Sequence, residues 1–185
     1  MPMIKVIMMM AMTADGLIAK HERHLPTEWT SPADKKLFQK ISKKAGAVIM
    51  GDKTFFTFPA PLPGRLNVVF TLEKNPAPRP GVLWVSGEPK KVLDRLAKMG
   101  FKQVILGGGA TINSLFLDAG LVAEIYLTIE PKIFGRGLSL FARPRDCSLS
   151  LISSRKLSKS TLFLKYRVLP EKKSYAQAKK TDQKS

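Results

Sequence analysis

Two glycine-containing stretches of the sequence have residue types that bind phosphate. Residues 107–109, Gly-Gly-Gly, follow an apolar run and precede a predicted helix, so bare backbone amides and the helix dipole can hold a pyrophosphate. A tight glycine turn that holds no ligand is the alternative. Residues 50–54, MGDKT, form a second predicted strand-to-helix junction suited to phosphate, although Asp52 breaks the spacing that a P-loop requires.

Asp34 is a carboxylate with two interpretations. It follows Ser31 and Pro32, which predict the N-cap and first position of a helix. At this spacing the carboxylate can complete a capping box and stabilise the helix N-terminus without any role in chemistry. The local pattern favours that structural role, and only the wider set of motifs described below assigns the carboxylate to a ligand.

A proline-rich turn at residues 59–65, PAPLPGR, presents Arg65 from a rigid backbone. A guanidinium binds carboxylates and phosphates through parallel N–H donors, and a fixed loop that presents one is typical of an anion site. An arginine that faces solvent is the alternative.

Alternating strands and helices are predicted to position these residues. The pattern predicts strands at residues 4–12, 47–50, 67–71, 82–85, 103–106 and 124–130, helices from the Ser31 cap to Gly46, at 89–99 and at 110–117, and a terminal hairpin of residues 149–156 and 161–168. This order predicts an α/β domain with a mostly parallel central sheet, helices on both faces and an antiparallel C-terminal edge. Ligands of such sheets bind at the carboxyl ends of the strands, where both phosphate-type stretches fall.

The composition is typical of one globular domain. The chain has 185 residues, of which 44% are hydrophobic and 24% charged. The apolar run at residues 6–12 is too short to span a bilayer and is a poor signal peptide, and a single cysteine makes no intramolecular disulfide. We therefore expect one domain over residues 1–170, a cytoplasmic location, no membrane contact, no metal, and a basic, disordered tail over residues 171–185.

The chain is strongly basic, with 31 Lys and Arg against 14 Asp and Glu and a net charge of +17. Such a surplus favours polyanions, either nucleic acid or small substrates with several phosphates or carboxylates. A basic nucleic-acid-binding module is therefore a second hypothesis. The basic residues are dispersed and the sequence has no helix-turn-helix, zinc-ligand or RNA-binding aromatic motif, so we do not expect specific nucleic-acid binding.

Four motifs in order along the chain resemble the dihydrofolate reductase family. They are WTSPADKKLF at residues 29–38, M-G-x-x-T with PLPGR-x-N within residues 50–67, ILGGG at residues 105–109, and YLT at residues 126–128. The resemblance spans residues 3–169. It implies a dihydrofolate reductase-like fold, NADPH as hydride donor, and dihydrofolate as the small-molecule substrate that is reduced to tetrahydrofolate.

The same resemblance implies roles for individual residues. Asp34 would bind the 2-amino group and ring nitrogen of the pterin and support protonation of the ring. The other catalytic residues implied are Thr128, hydrogen-bonded behind Asp34, and Trp29, which would close over the site. Arg65 would bind the α-carboxylate of the glutamyl tail. The further substrate contacts implied are Met9, Phe38, Phe58, Leu62 and Leu106, several of which could equally be core residues. The implied cofactor contacts are Ala11, Ile18, Gly51, Lys53, Thr54, Thr71, Gly107, Gly108, Gly109, Ala110 and Thr111.

Some positions depart from the family pattern and leave alternatives open. Asp52 stands where an arginine usually meets the adenosine 2′-phosphate, so Lys53 or Lys74 would have to replace it or the preference for NADPH over NADH weakens. Residues 14–19 and 128–137 look more like the pyrimidine reductase of riboflavin biosynthesis, which has the same fold. Its substrate is a 5-amino-6-ribosylamino-uracil phosphate, and this activity is the alternative function. The sequence leaves the choice between monomer and homodimer open.

Overall fold

The computed structural model describes residues 4–144 and 146–170, which form ten strands and five helices. The strands are β1 Lys5–Thr13, β2 Leu17–Ala19, β3 Ala47–Gly51, β4 Leu66–Phe70, β5 Val82–Val85, β6 Gln103–Leu106, β7 Val122–Glu130, β8 Leu138–Ser139, β9 Leu149–Lys156 and β10 Leu162–Val168. The helices are α1 Pro26–Trp29, α2 Pro32–Ala45, α3 Asp52–Phe55, α4 Pro89–Lys98 and α5 Ala110–Asp118. The tail predicted over residues 171–185 lies outside the described residues.

Eight of these strands form one sheet in the order β5-β4-β3-β6-β1-β7-β10-β9. Neighbours from β5 through β7 pair in parallel, whereas β10 pairs antiparallel with both β7 and β9. The predicted fold class, a mostly parallel sheet with an antiparallel C-terminal hairpin, is confirmed. The carboxyl ends of the parallel strands therefore meet at one edge of the sheet, as the position of the phosphate-type motifs requires.

Helices cover the two faces of the sheet and bury a separate apolar cluster on each. On one face α4 and α5 contribute Leu96 and Phe116, which are fully buried against β1, β3 and β6. On the other face α2 places Phe38 and Ile41 against a cluster that contains Val48 and Ile105. Because helices cover both faces of the parallel sheet, side chains on both sides of each strand are buried, and the strands are therefore apolar along their length.

The ends of α2 follow directly from its sequence. The hydroxyl of Ser31 accepts a hydrogen bond of 3.2 Å from the backbone N–H of Asp34, and Pro32 occupies the first helical position. The helix ends at Gly46, whose φ of 81° lies in the left-handed region that favours glycine. The predicted limits of this helix are confirmed, and they fix where Asp34 lies relative to the sheet.

Short elements around the site are the main addition to the predicted architecture. Strand β2, for which no strand was predicted, pairs antiparallel with β8 in a small second sheet. Helices α1 and α3 each have four residues. They were hard to predict because so few residues show no periodicity. Within residues 4–144 and 146–170 no helix is long and apolar enough to cross a membrane.

Candidate active site

A large cavity of about 1110 Å³ lies at the carboxyl edge of the parallel strands. One wall consists of residues at or just after the ends of four strands: Gly51 and Asp52, Thr71 and Leu72, Ser86 and Gly87, and Gly107. The N-terminal half of α2 and residues 137–142 form other parts of the wall. The topology alone thus places a cleft where open α/β sheets bind their ligands.

Most of the predicted site residues line this one cavity. They are Met9, Ala11, Ile18, Trp29, Asp34, Phe38, Gly51, Lys53, Thr54, Phe58, Leu62, Thr71, Gly107, Gly109, Ala110 and Thr111. Four others, Arg65, Leu106, Gly108 and Thr128, are not among the residues that line it. Leu106 is fully buried among apolar neighbours, so its position in the structure is that of a core residue.

The hydrogen bonds at the start of α2 exclude one of the structural roles considered for Asp34, the capping box. In a capping box the carboxylate would accept the backbone N–H of Ser31. That N–H instead donates to Oε1 of Glu130 at 2.7 Å, and Oε2 of Glu130 accepts from the hydroxyl of Thr161 at 3.2 Å. Glu130 therefore takes the role expected of a capping carboxylate, and the side chain of Asp34 is left on the cavity wall.

The environment of Asp34 changes its acidity. Its side chain is almost buried, and this loss of water raises the pKa of the carboxyl above its ordinary value. The negative charge of Glu130 acts in the same direction, whereas the hydroxyls of Thr128 and Thr30 oppose the rise in pKa. A raised pKa makes the carboxyl a better proton acceptor than an ordinary aspartate, as acid-base chemistry requires.

Two polar atoms of predicted site residues are buried without a hydrogen-bond partner among the described residues. They are Nε1 of Trp29 and Oγ1 of Thr128. The Thr128 hydroxyl is close enough to affect the pKa of Asp34, but it does not meet full hydrogen-bond geometry. Buried polar groups are normally paired, so these atoms indicate that a polar ligand or water completes the site.

The rest of this end of the cavity is apolar. Met9, Phe38, Phe58 and Leu62 line it, and all four belong to the cluster on the α2 face of the sheet. Their arrangement suits a flat ring that is held by its faces and recognised by the carboxylate at its edge. Met9 and Phe38 thus act in the core and on the cavity wall at the same time.

Arg65 lies at the far end of α2 from Asp34 and is buried. Its guanidinium donates to the carbonyl oxygen of Pro63, at 3.1 Å from Nε and 3.0 Å from Nη2, and to the hydroxyl of Ser42. Within the described part of the chain no carboxylate lies in ion-pair distance of it. Burial lowers the pKa of the guanidinium, and a buried cation that lacks a counter-ion attracts an anionic ligand.

The glycines on the opposite side of the cavity leave space that side chains would fill. A Cβ atom on Gly109 would lie 3.1 Å from Oγ1 of Thr54, and one on Gly51 would lie 3.1 Å from Cγ1 of Ile112. Gly109 is the N-cap of α5 and has no side chain to cap it, so the first amides of that helix face the cavity unmasked. This arrangement fits a dinucleotide pyrophosphate.

Asp52 is fixed in place beside these glycines. Its carboxylate accepts hydrogen bonds from the Thr71 hydroxyl at 2.9 Å and from the backbone N–H of Lys53 at 2.7 Å. The ammonium of Lys53 pairs with Glu22 at 2.9 Å. Both side chains of this pair are exposed, so it constrains Lys53 only weakly.

The segment after β1 is held against residues 134–139. The carboxylate of Asp15 accepts the backbone N–H groups of Phe134 and Gly135, at 3.2 and 2.7 Å. A Cβ atom on Gly137 would overlap the carbonyl oxygen of Ala19, so only glycine permits this close approach. These contacts place Ile18 on the cavity wall as predicted.

Sequence reasoning missed several residues of the cavity wall. Thr30, Lys35 and Gln39 line it from α2 and its approach, and residues 138, 139, 141 and 142 line it from the opposite side. The spacing of Lys35 and Gln39 was a usable signal, since side chains four positions apart lie on the same face of a helix. No group of three or more metal-ligating side chains gathers anywhere in the described ranges.

The fold and the site define an α/β protein with a dinucleotide-type cleft, and comparison with known proteins specifies the family. The RibD C-terminal domain family model matches residues 4–163, and the chain belongs to this family. The dihydrofolate reductase of Buchnera aphidicola is 31% identical over 123 residues, which cover 66% of this chain and 70% of the relative. The predicted relationship to dihydrofolate reductase-like proteins is confirmed.

Solved structures of a riboflavin biosynthesis protein and of a dihydrofolate reductase share the fold of this chain. A putative riboflavin biosynthesis protein from Shewanella sp. PV-4 superposes with a TM-score of 0.76 at 23% identity, over 90% of this chain and all of that one (100%). The dihydrofolate reductase from Enterococcus faecalis, complexed with NADP(H) and RAB-propyl, gives a TM-score of 0.73 at 21% identity, over 90% of this chain and 97% of that one. These structures show the fold alone, whereas the family model favours the riboflavin-type alternative over the leading expectation of a dihydrofolate reductase.

Proposed function

We propose that the chain is an NADPH-dependent oxidoreductase that reduces the pterin ring of dihydrofolate. The observation that carries this choice of substrate is the Asp34 carboxylate, buried in an apolar cavity and free of the helix cap. The family match supports a reductase of this fold, and the finer choice of substrate rests on the chemistry of the cavity.

The edge of a pterin complements Asp34. A 2-amino group and the adjacent ring N–H present two parallel donors, which one carboxylate accepts together. The unpartnered Trp29 Nε1 and Thr128 Oγ1 supply further polar contacts beside this edge. The N3 edge of a uracil presents one N–H donor between two carbonyl acceptors, so a carboxylate would meet oxygen lone pairs there. Only the other edge of the ribosylamino-uracil, where N1–H lies beside the 6-amino N–H, offers two donors. The residue type at position 34 therefore supports the aminopterin edge over the N3 edge of a uracil.

Arg65 supports an elongated substrate with an anionic end. It bonds to Ser42, which lies eight residues after Asp34 on α2, a separation of about 12 Å along the helix axis. Phe58 and Leu62 line the cavity on this side. A ring at Asp34, an apolar linker against these side chains and a carboxylate at Arg65 match the order of groups in dihydrofolate.

The residues of the other half of the cavity would hold the cofactor. Gly109, Ala110, Thr111 and Thr54 would contact its pyrophosphate, and Ala11 and Ile18 its nicotinamide. NADPH supplies the hydride when bound. The chain supplies the alignment of the two rings, and Asp34 holds the ring edge and supports its protonation. The apolar wall excludes water from the reacting rings.

A pyrimidine reductase of riboflavin biosynthesis is the second candidate, and the family match favours it. Lys35 is the observation in the cavity that suits its sugar phosphate. The ammonium of Lys35 lies at the cavity wall, where it donates to the carbonyl oxygen of Thr27 at 2.6 Å. A phosphate at this position would give the Lys35 ammonium an anionic hydrogen-bond partner in place of the neutral carbonyl oxygen of Thr27.

Parallel turnover assays separate the two candidates. Purified enzyme and NADPH are mixed with dihydrofolate or with 5-amino-6-ribosylamino-uracil phosphate, and the absorbance at 340 nm is followed. The proposal expects oxidation that depends on dihydrofolate and a much lower rate with the pyrimidine. Turnover of the pyrimidine alone would replace the proposal by the second candidate. Lys35→Gln serves as the paired variant, because it should impair only the phosphate-bearing substrate.

A further inference from the structure

Glu130, the last residue of β7, is a buried carboxylate with no part in the chemistry proposed above. Its side chain is fully buried. Oε1 accepts the backbone N–H of Ser31, the N-cap of α2, at 2.7 Å. Oε2 accepts the hydroxyl of Thr161, which directly precedes β10, at 3.2 Å. Glu130 therefore joins the end of β7 to the start of α2 and to the turn that leads into β10.

The charge of Glu130 has no cation beside it. Among the residues that the structure describes, no Lys, Arg or His lies within ion-pair distance of its carboxylate. Both oxygens act as acceptors, as they do in an ionised carboxylate. A buried charge that is held by neutral donors acts strongly on its neighbours, because little water lies nearby to screen it.

Short connections link this carboxylate to Asp34. Side chains two residues apart on a strand point to the same side, so Glu130 lies on the same face of β7 as Thr128, which contacts the site. The bond from Ser31 to Glu130 fixes the N-cap, and the hydroxyl of Ser31 in turn accepts the backbone N–H of Asp34. The position of the Asp34 backbone thus depends on Glu130.

Glu130 and Lys35 act in opposite directions on the ionisation of Asp34. The negative charge of Glu130 raises the pKa of the Asp34 carboxyl, and the positive charge of Lys35, the next residue on α2, lowers it. The other ionisable side chains on the cavity wall are Glu22, His24, Asp52 and Lys53. A neutral side chain in place of Glu130 would leave Lys35 unopposed, so Asp34 would ionise more readily.

We propose that Glu130 is a positioning residue for the reaction, which fixes the start of α2 against β7 and, by its buried negative charge, favours the protonated form of the Asp34 carboxyl. This inference rests on the proposed function, because it requires Asp34 to be the group that holds the substrate ring and supports its protonation. Glu130 is not among the residues that line the cavity, so it acts through Asp34 and not on the ligands.

Substitution by glutamine separates the charge of Glu130 from its position. In Glu130→Gln the amide oxygen can accept the N–H of Ser31 and the amide nitrogen can donate to the hydroxyl of Thr161, so both bonds persist without the charge. We expect the titration of Asp34 to move to lower pH by about half a unit or more. It is followed by NMR of ¹³C-labelled aspartate carboxyls in the enzyme without ligands, and the Asp34 signal is identified by its loss in Asp34→Asn. The inflection that Asp34 causes in the pH profile of kcat/KM should move in parallel.

Two further variants serve as comparisons. Glu124→Gln removes a carboxylate from the same face of β7, about 20 Å away along the strand, where it pairs with Lys5 at 2.6 Å. It should leave the titration of Asp34 unchanged. Glu130→Asp keeps the charge, but its shorter side chain cannot reach both Ser31 and Thr161. We expect it to keep the titration of Asp34 and to raise KM for dihydrofolate about threefold or more.

The outcomes distinguish this inference from the proposed function. A titration of Asp34 that Glu130→Gln leaves unchanged would overturn the inference while the proposed function stands. An equal shift in Glu124→Gln would also overturn it, because the effect would then not belong to Glu130. If Glu130→Gln does not fold, Glu130→Asp decides, and an unchanged KM with a titration moved to lower pH would contradict the inference. A wild type that does not reduce dihydrofolate, in a chain whose ligand-free titration still shifts in Glu130→Gln, would overturn the proposed function alone.

Discussion

Replacing Asp34 by asparagine should have opposite effects on activity and stability. The substitution keeps the size of the side chain but removes the charge and one acceptor. An amide N–H would then face the donors of the substrate ring, and the acid-base function would be lost. We expect kcat/KM for dihydrofolate to fall about 10²–10⁴-fold, while NADPH binds as before.

The stability effect follows from the raised pKa of Asp34. Because burial raises that pKa, the folded chain binds a proton at this carboxyl more tightly than the unfolded chain does. The ionised carboxylate therefore lowers the free energy of unfolding above the folded pKa, by about 1.4 kcal/mol for each unit of elevation. This cost disappears as the pH falls towards 3.8, the ordinary value for an aspartate. Asp34→Asn should thus be more stable than the wild type at pH 8, with a gain that shrinks on acidification.

Denaturant unfolding at pH 8 and near pH 5, paired with NADPH oxidation assays, checks both effects. Asp94→Asn is the matched control, because Asp94 is exposed on α4 and forms only a surface pair with Lys90. Its free energy of unfolding should change by less than about 0.5 kcal/mol. Full activity in Asp34→Asn, or a loss of stability at pH 8, would refute the reasoning and return Asp34 to a purely structural role.

Three further substitutions test other parts of the site. Arg65→Gln should raise KM for dihydrofolate roughly tenfold or more and leave the Kd for NADPH unchanged; equal effects on both ligands would contradict an anion site for substrate. Gly109→Ala should weaken nucleotide binding in calorimetry while the thermal midpoint changes little, since its Cβ would crowd Oγ1 of Thr54. Unaltered binding would exclude Gly109 from the pyrophosphate site. Gly137→Ala should destabilise the chain by about 1–3 kcal/mol by forcing β8 away from Ala19, which an unchanged Tm would disprove.

The strands and helices were predictable because their signals are local. Pro32 and Gly46 mark the limits of α2, and apolar runs mark the strands that both helical layers cover. The pairing of β2 with β8 was not predictable, because it joins segments about 120 residues apart through two or three residues each. Short ladders of this kind depend on tertiary contact, here on Asp15 and the backbone of Gly137.

Most of the predicted site residues do line the cavity, but their roles could not be predicted from the sequence. Capping by Asp34 and chemistry by Asp34 give the same local sequence, and only the bond from Ser31 to Glu130 separates them. These residues are 99 positions apart, which no periodicity reveals. The resemblance implied an anion contact for Arg65, but its burial and its lack of a described counter-ion required the structure.

Transfer of label from the cofactor tests the central claim most directly. The enzyme is supplied with NADPH deuterated at the transferable position of the nicotinamide and with dihydrofolate, and the product is analysed by mass spectrometry. The account predicts tetrahydrofolate that carries one deuterium on its ring, formed by the wild type and strongly reduced in Asp34→Asn. Oxidation of NADPH without label in the product, or labelled product at an equal rate in Asp34→Asn, would contradict it.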